Sequence, residues 1–194
     1  MKLLVQGDDF GFTRGVTLGI VDSIDRGILR NTGLFANMPS AEFAVSFMKD
    51  RPQACFGIDF NLVAGKPVCK KEEVPHLVDE NGYFIKSGVR MRNALWTTEE
   101  GRRQLFPKEE VVKEIRAQYE RFIALSGNKP GYLHAHSIMP EPYLEAIHEL
   151  SEETGIPFSM ELWKKQALFS PKMSSPVSRT KVFEPHAQLE KDTT

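Results

Sequence analysis

The sequence predicts an α/β fold in which helices cover a parallel sheet. Short apolar runs alternate about five times with segments whose apolar residues follow a helical spacing. The most regular helical segment lies at 107–127 and carries Val112, Ile115, Tyr119 and Phe122 on one face. Because strands and helices alternate along the chain, we expect parallel strands joined by helical crossovers.

The predicted elements follow from apolar runs and from the residues that end them. Ser40 is a plausible N-cap for the second helix, and glycine ends the last two helices. The strands are predicted at 3–5, 28–36, 54–60, 132–136 and 156–160, with a weak strand at 180–183. The helices are predicted at 20–28, 41–49, 107–127 and 143–150. We expect residues 1–194 to form a single α/β domain.

One long segment, 64–106, interrupts this alternation. It is rich in charge, glycine and proline, and it contains turn signals at 74–75 and 79–82. Its apolar residues are confined to short islands at 83–85 and 95–96. Insertions of this length at strand ends often cover a site. We therefore expect a covering loop with a short element or two.

Composition excludes several classes of function. Of the 194 residues, 41% are hydrophobic, as in an ordinary globular protein. The formal net charge is -1, so the composition shows no excess of basic residues that would bind nucleic acid or a membrane surface. No apolar run is long enough to span a bilayer, and the N-terminus lacks a signal-peptide pattern. Cys55 and Cys69 are too few for a disulfide framework. We expect a cytoplasmic protein with reduced thiols.

Four metal-binding side chains follow or end separate apolar runs. Asp8 and Asp9 follow the first run, Asp59 ends the third and His136 ends the fourth. The carboxyl ends of parallel strands meet at one sheet edge, so these residues are expected to converge there. A divalent cation would relieve the repulsion between the two adjacent carboxylates. One carboxylate would bind the cation, and the other would be free to act as a base. This donor set suits Zn²⁺, Mn²⁺, Ni²⁺ or Fe, and a carboxylate-rich set favours Mg²⁺ or Mn²⁺.

Each of these residues also has a structural interpretation. Asp8, Asp9 and Asp59 could be solvated acids that cap helices, and His136 could be a core imidazole bonded to the backbone. His134 shares a strand face with His136 and could orient it from the second shell of a site. Asn61 follows Asp59 by two residues and is expected to point in the same direction. It could hydrogen-bond a ligand, or it could hydrogen-bond only the backbone of the local turn.

Several ordered segments resemble the YdjC-like carbohydrate deacetylases. The likeness is strong over residues 2–68 and weaker over 130–158. The segments that carry it are Val5-Gln6-Gly7-Asp8-Asp9-Phe10-Gly11, Gly15-Val16-Thr17, Gly19-Ile20, Asn37-Met38-Pro39-Ser40-Ala41, Gly57-Ile58-Asp59-Phe60-Asn61-Leu62 and Gly65-Lys66-Pro67-Val68.

The resemblance implies a distorted, incomplete (β/α) barrel related to the NodB-type deacetylases. The implied activity is metal-dependent removal of N-acetyl groups from amino sugars or chitin-type oligosaccharides. By resemblance, the metal is Mg²⁺, with Zn²⁺, Mn²⁺ or Ni²⁺ as alternatives. Asp8 would be the catalytic base, and Asp9, Asp59 and His136 would be the metal ligands. We add Asn61 and His134 as substrate-binding candidates.

The sequence departs from the family pattern at three places. Asp59 stands where the family has a ligand histidine, and the segment 133–137 lacks the family's denser run of histidines. The second departure leaves the register of the later ligand open by two residues. The family's C-terminal motif with glutamate and a His-Pro pair has no counterpart here. We therefore expect missing C-terminal strands, an exposed sheet edge and a homo-oligomer that covers it.

Two other functions fit parts of the pattern. A phosphoryl-receiving signalling domain also has an acidic pair after its first strand and an aspartate after its third, around Mg²⁺. The long insertion at 64–106 and the absence of a lysine at the end of a fifth strand speak against it. A catalytically silent sugar-binding relative is the other alternative, because the third strand is altered and the C-terminal motif is missing.

Overall fold

The computed structural model describes residues 4–165, with side chains as far as Leu162. One compact unit extends over Met1–Leu162. Its helices and strands are β1 (Gln6–Phe10), α1 (Arg14–Asp25), β2 (Asn31–Leu34), α2 (Ala41–Val45), β3 (Cys55–Phe60), α3 (Ser87–Arg92), α4 (Glu99–Leu105), α5 (Lys108–Ser126), β4 (Leu133–Ala135), α6 (Glu141–Thr154) and α7 (Ser159–Lys165). Because the structure describes only part of the chain, the single domain over 1–194 stays a prediction.

The described strands form one parallel sheet in the order β1-β2-β3-β4, so neighbours in the sheet are also neighbours along the chain. Helix α1 packs on β1, α5 on β3 and α6 on β4. This is the arrangement of a (β/α) barrel segment, and the predicted α/β fold with a parallel sheet is confirmed. The core between strands and helices includes Phe10, Leu34, Ile58, Ile115 and Ile147.

The face of the sheet opposite this core carries glycines and polar side chains. Strand register places Gly33 beside Gly57 and Asp59 beside His134. Since side chains alternate along a strand, Tyr132 lies on the same face as His134. The sheet therefore presents glycines, acids and an imidazole on one side, whereas its other side packs against the helices.

The first strand lies later in the chain than predicted. We expected 3–5 as the strand and the two acids in the turn after it, but β1 runs from Gln6 to Phe10 and contains both acids. Pairing with β2 holds both ends of this segment in the sheet, through Gln6 opposite Asn31 and Phe10 opposite Leu34. Parallel pairing thus overrides the weak strand propensity of Gly and Asp.

Other boundaries also differ from the prediction. The predicted strand at 156–160 is wrong, because Phe158 makes only an isolated bridge to Leu133 and helix α7 begins at the next residue. Helix α1 ends at Asp25, which leaves Ile28 68% exposed. Helix α2 is shorter than 41–49, and Ser40 precedes it without a side-chain cap bond. The weak strand at 180–183 lies outside the described residues.

The insertion at 64–106 contains more regular structure than predicted, namely α3, α4 and 3-10 turns at Lys71–Glu73 and Ala94–Thr97. Buried Glu114 on α5 holds its first part, because its carboxylate accepts the backbone N–H groups of Val68 and Cys69 at 2.9 Å each. Buried Arg90 holds the second part by donating to the carbonyls of His76 and Leu105.

Substitution of Glu114 tests how much its carboxylate stabilises the insertion. In Glu114→Gln, an amide NH₂ must face one of the two backbone donors, so a buried N–H loses its acceptor. We expect the free energy of unfolding to fall by about 1–3 kcal/mol, measured by urea denaturation. Glu120→Gln on the exposed side of α5 is the matched control, and an equal effect of the two changes would contradict the anchor.

No helix within residues 4–165 is both long enough and apolar enough to cross a membrane.

Candidate functional site

The two adjacent acids lie at an irregularity in β1. The pairing register with β2 shifts between Gly7 and Phe10, and Asp9 has a φ of 71°. Such a bulge re-aims side chains at the edge of a sheet. As a result the two carboxylates have different neighbours. The Asp8 carboxylate lies close to Asp59 and His134, whereas the Asp9 carboxylate lies near His136.

Asp8, Asp59 and His134 form a cluster that could hold a metal ion. Each offers one ligand atom, and these atoms all lie within 4.8 Å of one another. Asp59 and His134 are register partners on neighbouring strands, and Asp8 lies on β1. The predicted convergence of Asp8 and Asp59 at one sheet edge therefore holds in the structure, but the imidazole beside them is His134 and not His136.

Asp59 is the most constrained member of the cluster. Its side chain is 0% exposed, its Oδ2 accepts the backbone N–H of Asp9 at 3.3 Å, and its Oδ1 has no hydrogen-bond partner among the described residues. Burial, and then the charge of Asp8, raises the pKa of Asp59 well above its ordinary value. A solvated strand-end acid is thus excluded for Asp59. A buried carboxylate with one oxygen unpaired among the described residues, beside two further ligand groups, fits a bound cation.

The surroundings of His134 orient its imidazole and favour the neutral form that can bind a metal ion. Its Nδ1 is hydrogen-bonded to Ser159 Oγ at 2.7 Å, and both residues are buried. Burial lowers the pKa of His134, an effect that Asp8 opposes and His136 reinforces. A neutral imidazole oriented through its other ring nitrogen is the form that binds metals. The sequence did not reveal Ser159, because its segment was predicted to be a strand.

Asp9 and His136 form a second pair beside the cluster. Asp9 Oδ1 lies 3.5 Å from His136 Nε2, and both side chains are partly exposed. The His136 and Phe35 rings pack in a T-shaped pair, with 4.7 Å between ring centroids. Its backbone N–H donates to the hydroxyl of buried Tyr143, which donates to the Phe60 carbonyl. His136 is therefore fixed at the rim and is not a core imidazole.

Asn61 is used inside the protein. It is fully buried, and its Oδ1 accepts the N–H groups of Val63 and Ala64 at 3.0 Å. Its Nδ2 donates to Asn37 Oδ1 and to the Ala64 carbonyl, and its backbone exchanges two bonds with Gln118. These contacts match the local-turn alternative, while substrate binding by Asn61 stays a prediction.

Comparison with known proteins identifies the family. The family described as YdjC-like protein matches residues 2–192. The chain belongs to the YdjC-like protein family. The resemblance seen in the sequence is thereby confirmed, and the phosphoryl-receiving alternative is left without support. The expected α/β fold of incomplete-barrel type is confirmed as well.

Two similar proteins are carbohydrate deacetylases of bacteria. The chain is 38% identical over 160 residues to "Carbohydrate deacetylase 2" of Listeria innocua serovar 6a, which covers 81% of this chain and 59% of the relative. It is 33% identical over 156 residues to "Carbohydrate deacetylase" of Geobacillus stearothermophilus, covering 79% and 57%. The chain thus spans less than two thirds of the length of these relatives.

A solved structure shows the same fold. It is that of a protein from Enterococcus faecalis V583, named as a candidate cellobiose-phosphate cleavage protein. The likeness has a TM-score of 0.69 at 27% sequence identity, and it covers 80% of this chain and 57% of the other.

Proposed function

We propose that this YdjC-like protein is a metal-dependent carbohydrate deacetylase that hydrolyses the N-acetyl group of an amino sugar or a chitin-type oligosaccharide. The observation that carries the proposal is the cluster of Asp8, Asp59 and His134, in which a buried carboxylate oxygen has no partner among the described residues. The names of the relatives support the reaction class.

The donor set fits a divalent cation held by Asp8, Asp59 and His134. Two carboxylates keep Mg²⁺ in the candidate set, as the family resemblance implies, and the imidazole nitrogen also suits Zn²⁺, Mn²⁺ or Ni²⁺. When bound, such an ion would polarise the acetamide carbonyl and lower the pKa of a water. Burial lowers the pKa of His134 and so favours the neutral imidazole that binds a metal.

Amide hydrolysis also needs a base for the attacking water and an acid for the leaving amine. Asp9 and His136 lie beside the cluster, partly exposed and 3.5 Å apart, and are therefore placed to exchange protons with a substrate above the sheet edge. We assign the base to Asp9 and the acid to His136. This exchanges the roles that the family resemblance implied for Asp8 and Asp9, and it moves the imidazole ligand from His136 to His134.

Two isosteric variants distinguish these assignments. We expect Asp8→Asn to weaken Mn²⁺ binding, measured by calorimetry, because it removes a ligand charge. Asp9→Asn is expected to keep the Mn²⁺ affinity and to slow acetate release from N-acetylated chitooligosaccharides by about 10²–10⁴-fold, the usual worth of a general base. The reverse pattern would restore Asp8 as the base and Asp9 as the ligand.

The control for both variants is Asp22→Asn on the exposed face of α1, where only a surface ion pair with Arg26 is lost. Acetate release by the wild-type protein with added metal supports the proposed function. Oligosaccharide binding without acetate release would identify the catalytically silent alternative and overturn it. The homo-oligomer stays a prediction that a mass measurement in solution would test.

A further inference from the structure

Two glycines lie side by side on the polar face of the sheet, and neighbouring side chains fill the space above them. Gly33 on β2 is the register partner of Gly57 on β3. A Cβ on Gly33 would lie 1.8 Å from Asp59 Oδ1, and a Cβ on Gly57 would lie 2.5 Å from the Tyr132 ring carbon that bears the hydroxyl. Asp59 and Tyr132 therefore reach over the same pair of glycines.

Both side chains end there in a buried oxygen without a partner. Within the described residues, Asp59 Oδ1 and the Tyr132 hydroxyl have no hydrogen-bond partner, and Tyr132 is 6% exposed. An unpaired buried hydroxyl is destabilising, and this one belongs to a ring that lies over the glycine next to the one that Asp59 covers. Both oxygens would be satisfied if the hydroxyl donated a hydrogen bond towards the carboxylate.

The charges around Tyr132 agree with this placement. Burial raises the pKa of Tyr132, and Asp59 is the next cause, ahead of Cys55 and Asp8. A tyrosine hydroxyl is protonated at neutral pH without any shift and can donate one hydrogen bond. By contrast, the Tyr143 hydroxyl already donates to the Phe60 carbonyl and accepts from the His136 backbone, so it is committed elsewhere.

We propose that Tyr132 is a positioning residue, whose hydroxyl donates to Asp59 Oδ1 through one buried water and thereby orients this carboxylate for the metal. The proposal rests on the proposed metal site. The two side chains lie over neighbouring glycines, and neither buried oxygen has a direct hydrogen-bond partner among the described residues. A bridging water is nearly as good enthalpically as a direct bond and would satisfy both. The water would donate to one lone pair of Oδ1 and leave the other lone pair for the metal, while the Asp9 backbone N–H donates to Oδ2.

The test compares Tyr132→Phe with Tyr119→Phe. Both changes remove one hydroxyl, but Tyr119 lies on α5, where Glu153 on α6 is its charged neighbour. We expect Tyr132→Phe to weaken Mn²⁺ binding by about tenfold, the lower end for loss of an outer-shell partner. We also expect Mn²⁺ to produce a tyrosine difference spectrum in the near ultraviolet that Tyr132→Phe lacks and Tyr119→Phe retains.

The outcomes separate this proposal from the proposed function. If the wild-type protein binds no divalent metal, the proposed metal site fails and the role of Tyr132 with it. If wild type and Tyr132→Phe bind Mn²⁺ equally and give the same difference spectrum, only the role of Tyr132 is overturned. If Tyr132→Phe does not fold, the wild-type spectrum decides, because an absent tyrosine signal on Mn²⁺ binding overturns the proposal.

Discussion

Replacing Asp59 with asparagine is expected to abolish metal binding and yet to stabilise the metal-free protein at neutral pH. Asp59 Oδ1 is buried without a partner in the described part of the chain, and the charge of Asp8 raises the cost of ionising it. Asparagine keeps the shape of the side chain and removes this charge. Acetate release should fall on the order of 10³-fold, since a metal supplies several kcal/mol to the transition state.

The stability effect has a definite pH dependence. Because the pKa of Asp59 is raised in the folded state, its contribution to stability is fully present below the unfolded pKa of about 3.9 and is lost as pH rises through the folded pKa. Between these two pKa values the wild-type protein loses about 1.4 kcal/mol per pH unit relative to Asp59→Asn. Above the folded pKa the difference stays constant.

Thermal denaturation in the presence of a chelator, repeated from acidic to neutral pH, measures this difference. Asp50→Asn is the matched control, because Asp50 is exposed at the end of a surface turn. Adding metal should reverse the order of stability, since only the wild-type protein binds it. Equal metal affinity of wild type and Asp59→Asn, or a less stable metal-free variant at neutral pH, would contradict the assignment of Asp59.

Elements with strong local signals were predictable from the sequence. Helix α5 has an apolar stripe, a proline before its first residue and Gly127 at φ 70° after its last, so sequence and structure agree within a residue. Strand β3 was found because its apolar residues run to Phe60. Strand β1 was misplaced because pairing of Gln6, Gly7 and Phe10 with β2 brings a Gly-Asp-Asp segment into the sheet, and nothing local in the sequence indicates that pairing.

The candidate site was partly predictable for the same reason. Asp59 was found because it lies next to the carboxyl end of β3, and Asp8 because it directly follows an apolar run. The choice between His134 and His136 depends on the register of β4 against β3, where Asp59 pairs with His134, and no single-strand pattern fixes a register. Ser159 carried no signal, because the turn into α7 looked like a strand.

Gly33 carries a sequence signal of its own that the strand prediction did not use. A glycine inside a strand often marks a close approach of another group, and here that group is the Asp59 carboxylate. We expect Gly33→Ala to abolish measurable metal binding, because its methyl group would occupy the position of Asp59 Oδ1, 1.8 Å away. Displacing a buried carboxylate should also cost about 1–3 kcal/mol of stability, as overpacking usually does.

A double-mutant cycle separates the site effect from general strain. In an Asp59→Ala background the carboxylate is gone, so Gly33→Ala should cost much less stability than it costs in the wild-type protein, and the two changes should be strongly non-additive. Gly19→Ala is the control glycine: it lies on α1, and a Cβ there meets nothing within 4 Å, so it should stabilise the protein slightly. Additive losses in denaturant titrations would show that Gly33 acts on the strand and not on Asp59. A coupled loss would show that the space above this glycine exists to hold the carboxylate in place.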